Sequence, residues 1–418
     1  MPSANFAPST IWTGDNLPIM RGMNSACVDL IYLDPPFNSN RHYEAPIGSK
    51  AAGAAFKDAW TLDDVDVCEH GELAERNPAA YAVIEAARQA HGKGMQSYLI
   101  FMAVRLMEMH RILKPTGSIY LHCDPTASHY LKLLMDGIFG QKQFRNEIVW
   151  SYTGRLMTSK KAFNSKHDIV LFYSKTSAHK LNPVTEPINK SDFIRMKKQK
   201  VHVDEDGREW IWGHAGKGKS HDYRMYLDEV VSKGKSISAE WAIPIVNTSA
   251  KERTGYPTQK PLALLDRIIK ASSSPGDLVL DPFCGCATAL VAADRLGRQW
   301  AGIDLSPLAI KLVKQRILED SPLWAGPIAL DAPPKRTDLG ALPNYRTHRH
   351  RLYGEQEGIC VGCNTHFPFR VMDVDHILPR SKGGTDHPDN LQLLCSGCNR
   401  SKGGKTMAEW RAAQAEAK

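Results

Sequence analysis

The run Val28-Asp29-Leu30-Ile31-Tyr32-Leu33 is mostly apolar and β-prone, and it ends abruptly at Asp34-Pro35-Pro36-Phe37. Such a run reads as a buried strand of a parallel sheet. The two prolines stop the ladder, because neither donates an N–H and both fix φ. Asp34 is thereby left at the carboxyl end of a strand, where open α/β sheets hold their ligands. A carboxylate beside a proline-fixed carbonyl suits a particular chemistry. Together they accept the two hydrogens of an exocyclic nucleobase amine and localise a lone pair otherwise delocalised into the ring. Phe37 offers a ring on which such a base stacks once it has left the helix.

Strand and helix signals alternate around this stretch. Thr13-Gly14-Asp15-Asn16 is a turn, and residues 41–95 read as a long insertion. Ser97 to Leu113 is a buried helix closed by Lys114-Pro115, followed by a strand over Gly117–His122 and a helix over Ala127–Phe139. Further strands are expected at Glu147–Trp150 and Ile169–Phe172. After a break, a helix (Leu262–Lys270), strand (Leu278–Leu280), helix (Ala287–Arg295), strand (Trp300–Ile303) and helix (Ala309–Ile317) follow. That order predicts an α/β fold with a doubly wound, Rossmann-like sheet.

Composition narrows the partners. The net charge of +8 is mild, but it is unevenly placed. Residues 145–255 carry 20 Lys+Arg against 13 Asp+Glu, and residues 335–418 carry 13 against 9, so the excess sits in two segments suited to a polyanion. No stretch is long and apolar enough to span a bilayer, and Met1–Thr10 lacks the basic and apolar regions of a secretory leader. Of nine cysteines, four fall in two C-x-x-C pairs, a pattern of a reducing cytoplasm and a metal site.

A second strand–turn–helix unit is Gly276-Asp277-Leu278-Val279-Leu280-Asp281-Pro282-Phe283-Cys284-Gly285-Cys286-Ala287-Thr288. Gly285 lets backbone approach a ligand closely, and the helix start offers free N–H groups. Downstream, Ala301-Gly302-Ile303-Asp304 ends another strand on an acid suited to a ribose diol. There is no G-x-G-x-x-G, which argues against a nicotinamide dinucleotide.

D-P-P-F followed far downstream by D-P-F-x-G resembles the amino-group DNA methyltransferases, in the order of the beta class that includes type III modification subunits. The resemblance covers most of residues 10–320. It implies an enzyme that moves a methyl group from S-adenosylmethionine to a base in double-stranded DNA, with Asp34, Pro35, Pro36 and Phe37 as its catalytic element. It also implies that Asp281, Phe283 and Gly285 line the cofactor, that Asp304 binds its ribose and that Asp15 sits near its adenine. Thr258, Lys260 and Pro261 would contact its methionine end. Cys286 departs from the family's usual small Ser or Gly. The first residue of the tetrapeptide tracks base choice in this family, and Asp34 points to adenine N6, with cytosine N4 the alternative.

Between the halves, residues 151–255 interleave Lys190, Arg195, Lys197, Lys198 and Lys200 with Trp210, Trp212, Tyr223 and Tyr226. This is where the family keeps target recognition, and the composition suits phosphate anchoring with groove contacts. Gly213–Ser220 matches G-x-x-x-x-G-K-S, but it lacks the buried strand that a phosphate loop needs before it.

Residues 321–345 are rich in proline and read as a linker to a tail at 346–418. Cys360, Cys363, Cys395 and Cys398 have the spacing of a closed structural Zn²⁺ site. Between them lie Asp373-Val374-Asp375-His376-Ile377 and Asn390, with Asn399 just beyond, and this resembles the HNH, or ββα-metal, endonucleases. The resemblance implies His376 as general base, Asn390 as holder of its loop, and Asp375 with Asn399 as ligands of Mg²⁺ or a similar divalent cation. A tail that only binds DNA, stapled by zinc, is the alternative. The expected domains are 1–150, 151–255, 256–320 and 346–418, and a homodimer is compatible with them.

Overall fold

A computed structural model describes residues 3–36, 41–44, 55–58, 73, 76–152, 163–214, 222–247, 249–320, 326–338 and 344–416, and Phe37 lies outside them. The central sheet has nine strands. They are β1 (Thr10–Thr13), β2 (Val28–Leu33), β3 (Leu113–Cys123), β4 (Phe144–Ser151), β5 (His167–Ser174), β6 (Glu240–Ala242), β7 (Leu278–Asp281), β8 (Gln299–Asp304) and β9 (Ile328–Leu330). Their spatial order is β6-β4-β5-β3-β2-β7-β8-β1-β9. Only β5 runs against its neighbours, so every other strand points its carboxyl end to the same edge. The expected doubly wound α/β sheet is present.

Alternation along each strand sends side chains to two cores. Ile31 and Leu33 of β2 join Trp12, Leu99 and Leu121 on one face. That face is covered by α1 (Asn16–Gly22), α2 (Pro78–His91), α3 (Lys93–Ile112) and α4 (Ser128–Phe139). Leu30 and Tyr32 join Tyr120, Leu265, Val279 and Trp300 on the other, under α5 (Leu262–Ser272), α6 (Thr288–Arg295) and α7 (Pro307–Asp320). Gly302 of β8 permits the close approach of α6, since a Cβ there would meet Leu290 Cδ1 at 2.5 Å.

Three features differ from the sequence reading. The insertion at 41–95 contains α2, capped by Asn77, whose Oδ1 accepts the Ala80 N–H at 3.0 Å. Its alanine-rich, weakly apolar face buries Ala80, Ile84 and Ala87, which is too faint a stripe to stand out by periodicity. Lys114-Pro115 does not close α3 from outside; the helix ends at Ile112 and both residues enter β3, where the register against β2 shifts. The proline-rich stretch is not all linker, because β9 pairs in parallel with β1.

Between β5 and β6 a three-stranded antiparallel sheet, Asp222–Tyr226, Glu209–His214 and His202–Val203, builds its own small core from Phe193, Ile211 and Leu227. Gly213 and His214 end one of its strands, and residues 215–220 of the phosphate-loop look-alike lie outside the described residues. In the tail, Met372–His376 pairs antiparallel with Leu391–Cys395, followed by the helix Ser396–Lys402. Among the described residues no helix is long and apolar enough to cross a membrane.

The β2–β7 junction is fixed by Asp29, a buried acid whose Oδ2 accepts from Lys114 Nζ at 2.7 Å and from the Leu278 N–H at 2.9 Å. Replacing Asp29 with alanine leaves both donors unpaired. The unfolding free energy is expected to fall by about 3 kcal/mol, read as a lower urea midpoint at unchanged m-value.

Candidate functional site

Because the strands are parallel, Asp34, Asp281 and Asp304 reach one edge from β2, β7 and β8, with Asp15 two residues past β1. β2 and β7 are adjacent, and the chain winds away from them in opposite directions, which makes their junction a topological switch point.

The loop after β7 forms a cradle. Asp304 Oδ2 accepts the Gly285 N–H at 2.7 Å, and its Oδ1 accepts the Ser306 N–H at 2.8 Å. Gly285 has φ +48° and lies against Tyr256, so a Cβ there would be strained and would press on that ring at 3.1 Å. Asp281 Oδ1 accepts the Phe283 N–H at 3.1 Å. Burial raises both the Asp281 and the Asp304 carboxyl above the usual range; for Asp281 the charges of Asp34 and Asp304 add to it.

Asp15 caps α1 by accepting the Leu17 N–H at 3.0 Å, and its side chain is 51% exposed toward the edge. Arg105 ties this turn to the cradle. It donates to Asp15 Oδ1 at 2.8 Å and to Asn16 Oδ1 at 2.7 Å, while Asn16 Nδ2 donates to Pro282 O at 2.8 Å. Its guanidinium lies 3.5 Å over the Phe101 ring, and Phe101 in turn meets Phe283 at 6.2 Å. Sequence reading missed Arg105 by absorbing it into an apolar helix. The signal was a lone arginine amid apolar neighbours, which is rarely buried without partners.

Lys260 holds a position the motif did not reveal. Its Nζ lies 2.5 Å from Asp34 Oδ2 and 3.4 Å from Thr258 O, and the residue is buried. Thr258 adopts φ +61°, the turn that brings Lys260 inward, and Pro261 is the N-cap residue of α5. Asp34 Oδ1 is buried and has no hydrogen-bond partner among the described residues. One oxygen is neutralised by a lysine while the other lacks a donor, an arrangement that fits an amine N–H. The glycine cradle and its buried acids likewise fit S-adenosylmethionine, a cation with a ribose diol.

In the tail, the Sγ atoms of Cys360, Cys363, Cys395 and Cys398 lie within 4.8 Å of one another. The Cys395 N–H points at Cys360 Sγ (3.2 Å) and the Cys398 N–H at Cys395 Sγ (3.4 Å). Four soft thiolates in that space fit tetrahedral zinc. Asn390 spans its loop, accepting the Leu378 N–H at 2.8 Å and donating to Leu378 O and Thr385 O at 3.0 and 2.9 Å. His376 Nε2 lies 2.8 Å from Asp386 Oδ1. Arg380, which clasps Asp386, and then His376 hold that carboxyl below its usual range.

Asp375 does not stand open to a cation as the resemblance implies. It is buried, with Lys402 Nζ at 2.9 Å and Gln392 Nε2 at 2.8 Å from Oδ2, and Lys402 Nζ also reaches Oδ1 at 3.2 Å. Lys402 is itself fully enclosed and donates to His376 O at 2.9 Å. A buried carboxylate needs compensating charge, and a lysine three residues after Asn399, on the same helix face, supplies it. As arranged, these residues do not fit a bare divalent cation.

Fold and site together define an S-adenosylmethionine-dependent DNA methyltransferase carrying an HNH domain. The chain belongs to the DNA methylase family, which matches residues 28–315, and the HNH endonuclease family matches residues 360–405. It is similar to the type II methyltransferase M.EcaI of Enterobacter cloacae, at 29% identity over 351 residues, covering 74% of this chain and 69% of that one. It is similar also to the DNA adenine methyltransferase YhdJ of Escherichia coli strain K12, at 26% identity over 309 residues, covering 74% and 82%. Among solved structures, the PvuII cytosine-N4-specific DNA methyltransferase aligns over 78% of this chain and 97% of its own, with 15% identity and a TM-score of 0.42.

Zinc in the tail is directly testable. The purified chain is expected to carry about one zinc per molecule by mass spectrometry of metals. Cys360→Ser is expected to remove it and to open the tail, but not the methylase half, to limited proteolysis.

Proposed function

We propose that the chain methylates adenine N6 in double-stranded DNA and that Asp34 receives the flipped base. The supporting observation is the Lys260–Asp34 pair at 2.5 Å with Asp34 Oδ1 left without a donor. Lys260 holds Oδ2, and Oδ1 takes a hydrogen of the amine. The carbonyl between Pro35 and Pro36 takes the second hydrogen, and Phe37 stacks on the base. S-adenosylmethionine, when bound, supplies a methyl group on a positively charged sulfur. Asp281, Phe283 and Gly285 line its site, Asp304 takes the ribose hydroxyls, Asp15 the adenine, and Thr258, Lys260 and Pro261 the methionine end. Positioning is the main contribution, since an aligned bound pair reacts at an effective concentration no solution reaches.

Adenine is favoured by the acid that begins the tetrapeptide and by the name of the relative YhdJ, a DNA adenine methyltransferase. Residues 151–255 are the target-recognition module of this reading. The HNH tail cuts or nicks DNA, with His376 as general base oriented by Asp386, in a restriction–modification setting where cleavage depends on methylation. A second reading of the tail, zinc-stapled DNA binding without turnover, is favoured by one observation. The oxygens of Asp375 are held by Lys402 and Gln392.

Digesting methylated DNA to nucleosides and separating them by mass tests the base. N6-methyladenine is expected, and N4-methylcytosine alone would overturn that reading. Asp34→Ala is expected to lower turnover by at least about 100-fold while calorimetric binding of S-adenosylmethionine persists. For the tail, His376→Ala should abolish cleavage; if the unaltered chain never cuts methylated or unmethylated DNA, the binding-only reading stands.

A further inference from the structure

Beside Asp34, four polar side chains form a continuous chain across the carboxyl edge of the sheet. Tyr32 OH is 3.1 Å from His122 Nδ1, and His122 Nε2 is 3.1 Å from Asp168 Oδ2. Tyr152 OH donates to Asp168 Oδ1 at 3.2 Å. The members come from β2, β3, β5 and the residue after β4, so the chain laces four strand ends together. His122 has no exposed surface, and the Trp150 ring stands edge-on to it at 5.4 Å.

The direction of each bond follows from charge. Burial opposes ionisation of Asp168, but the hydrogen bond and charge of His122, with Lys260 adding, outweigh it and hold the carboxyl below its usual range. A carboxylate only accepts, so His122 Nε2 carries the proton and donates it. Tyr32, whose hydroxyl burial keeps protonated, with Asp34 adding, meets the ring at Nδ1 and donates to it whenever that nitrogen carries no proton. The registry places the chain against the reacting edge. Leu33 pairs with Leu121, so His122 lies one step on, beside Asp34, and Tyr32 shares the face of Asp34. An apolar row would pack such an edge without the desolvation that these groups carry, so stability alone does not call for them.

We propose that Tyr32, His122 and Asp168 are positioning residues for methyl transfer, holding the end of β2 so that Asp34 meets the base amine. The proposal rests on Asp34 as the base acceptor. It assigns the three residues no contact with base or cofactor.

Tyr32→Phe and Asp168→Asn in the full chain test it. Each is expected to lower kcat about tenfold or more, with the Kd for S-adenosylmethionine and the KM for DNA within about twofold of the unaltered chain. The double variant is expected to be no slower than the slower single one, because a cut chain is already cut. Unchanged kcat in both folded single variants, or loss confined to the melting temperature, overturns the proposal. If neither variant folds, ¹⁵N NMR of the unaltered chain decides. An unprotonated Nδ1 on His122 supports the directed chain, and a protonated one overturns it. Asp34→Ala in the same assay separates the two readings. If that variant transfers methyl groups at close to the unaltered rate, the acceptor role of Asp34 fails, whatever the other variants do.

Discussion

Lys260 and Asp34 stand 226 residues apart in the chain and 2.5 Å apart in space. The rest of the site depends on that contact. Asp34 follows the end of β2; Lys260 sits on the turn that leads into α5 and, through it, to β7 and the glycine cradle. The pair is mostly withdrawn from water, at 9% and 20% side-chain exposure, so screening is weak and either partner alone would be a costly buried charge. The contact exists because β2 and β7 are neighbours in the sheet, and Asp29 fixes that neighbourhood from below through Lys114 and Leu278. One acid at each end of β2 therefore sets the junction: Asp29 for the fold, Asp34 for the chemistry.

How much of this was legible follows from range. Strands that end on an acid, glycine at a tight turn and cysteine spacing are local patterns, so β2, β7, β8, Gly285 and the four cysteines could be read directly. The same patterns identified the family. What escaped was pairing across the fold. Lys260 was read as a contact to the cofactor, yet its nearest partner is Asp34. Arg105 was averaged into an apolar helix, although its guanidinium joins two loops. The Asp375–Lys402 pair is another instance, because the motif names the acid but not what neutralises it. Hydrophobic periodicity also failed where burial is weak: the alanine face of α2 and the short β9 carry little signal against their surroundings.

The acids at the sheet edge divide their tasks by environment. Asp281 and Asp304 are buried with backbone donors and are pushed toward the neutral form. A cationic methyl donor beside them would favour their charged forms. Asp34 differs, because one of its oxygens is already held by Lys260. The tail follows the opposite logic. There a lysine neutralises Asp375 before any divalent cation arrives, so a cation must compete with an enclosed ammonium rather than enter an open acid.

The two domains are joined more tightly than a proline-rich composition suggests. After β9 the chain is clipped to the methylase half: Asn24 Oδ1 accepts the Thr337 N–H at 2.8 Å, and Asp338 Oδ2 accepts the Ser25 N–H at 2.7 Å. Arg336 closes the clip by binding Asp338 at 2.8 Å, and that ion pair holds the Asp338 carboxyl far below its usual range. Clipped at Asp338, the chain leaves the methylase half from a fixed point beside β9 and β1, so the segment that leads toward the tail starts at the sheet rather than wherever a free linker would carry it.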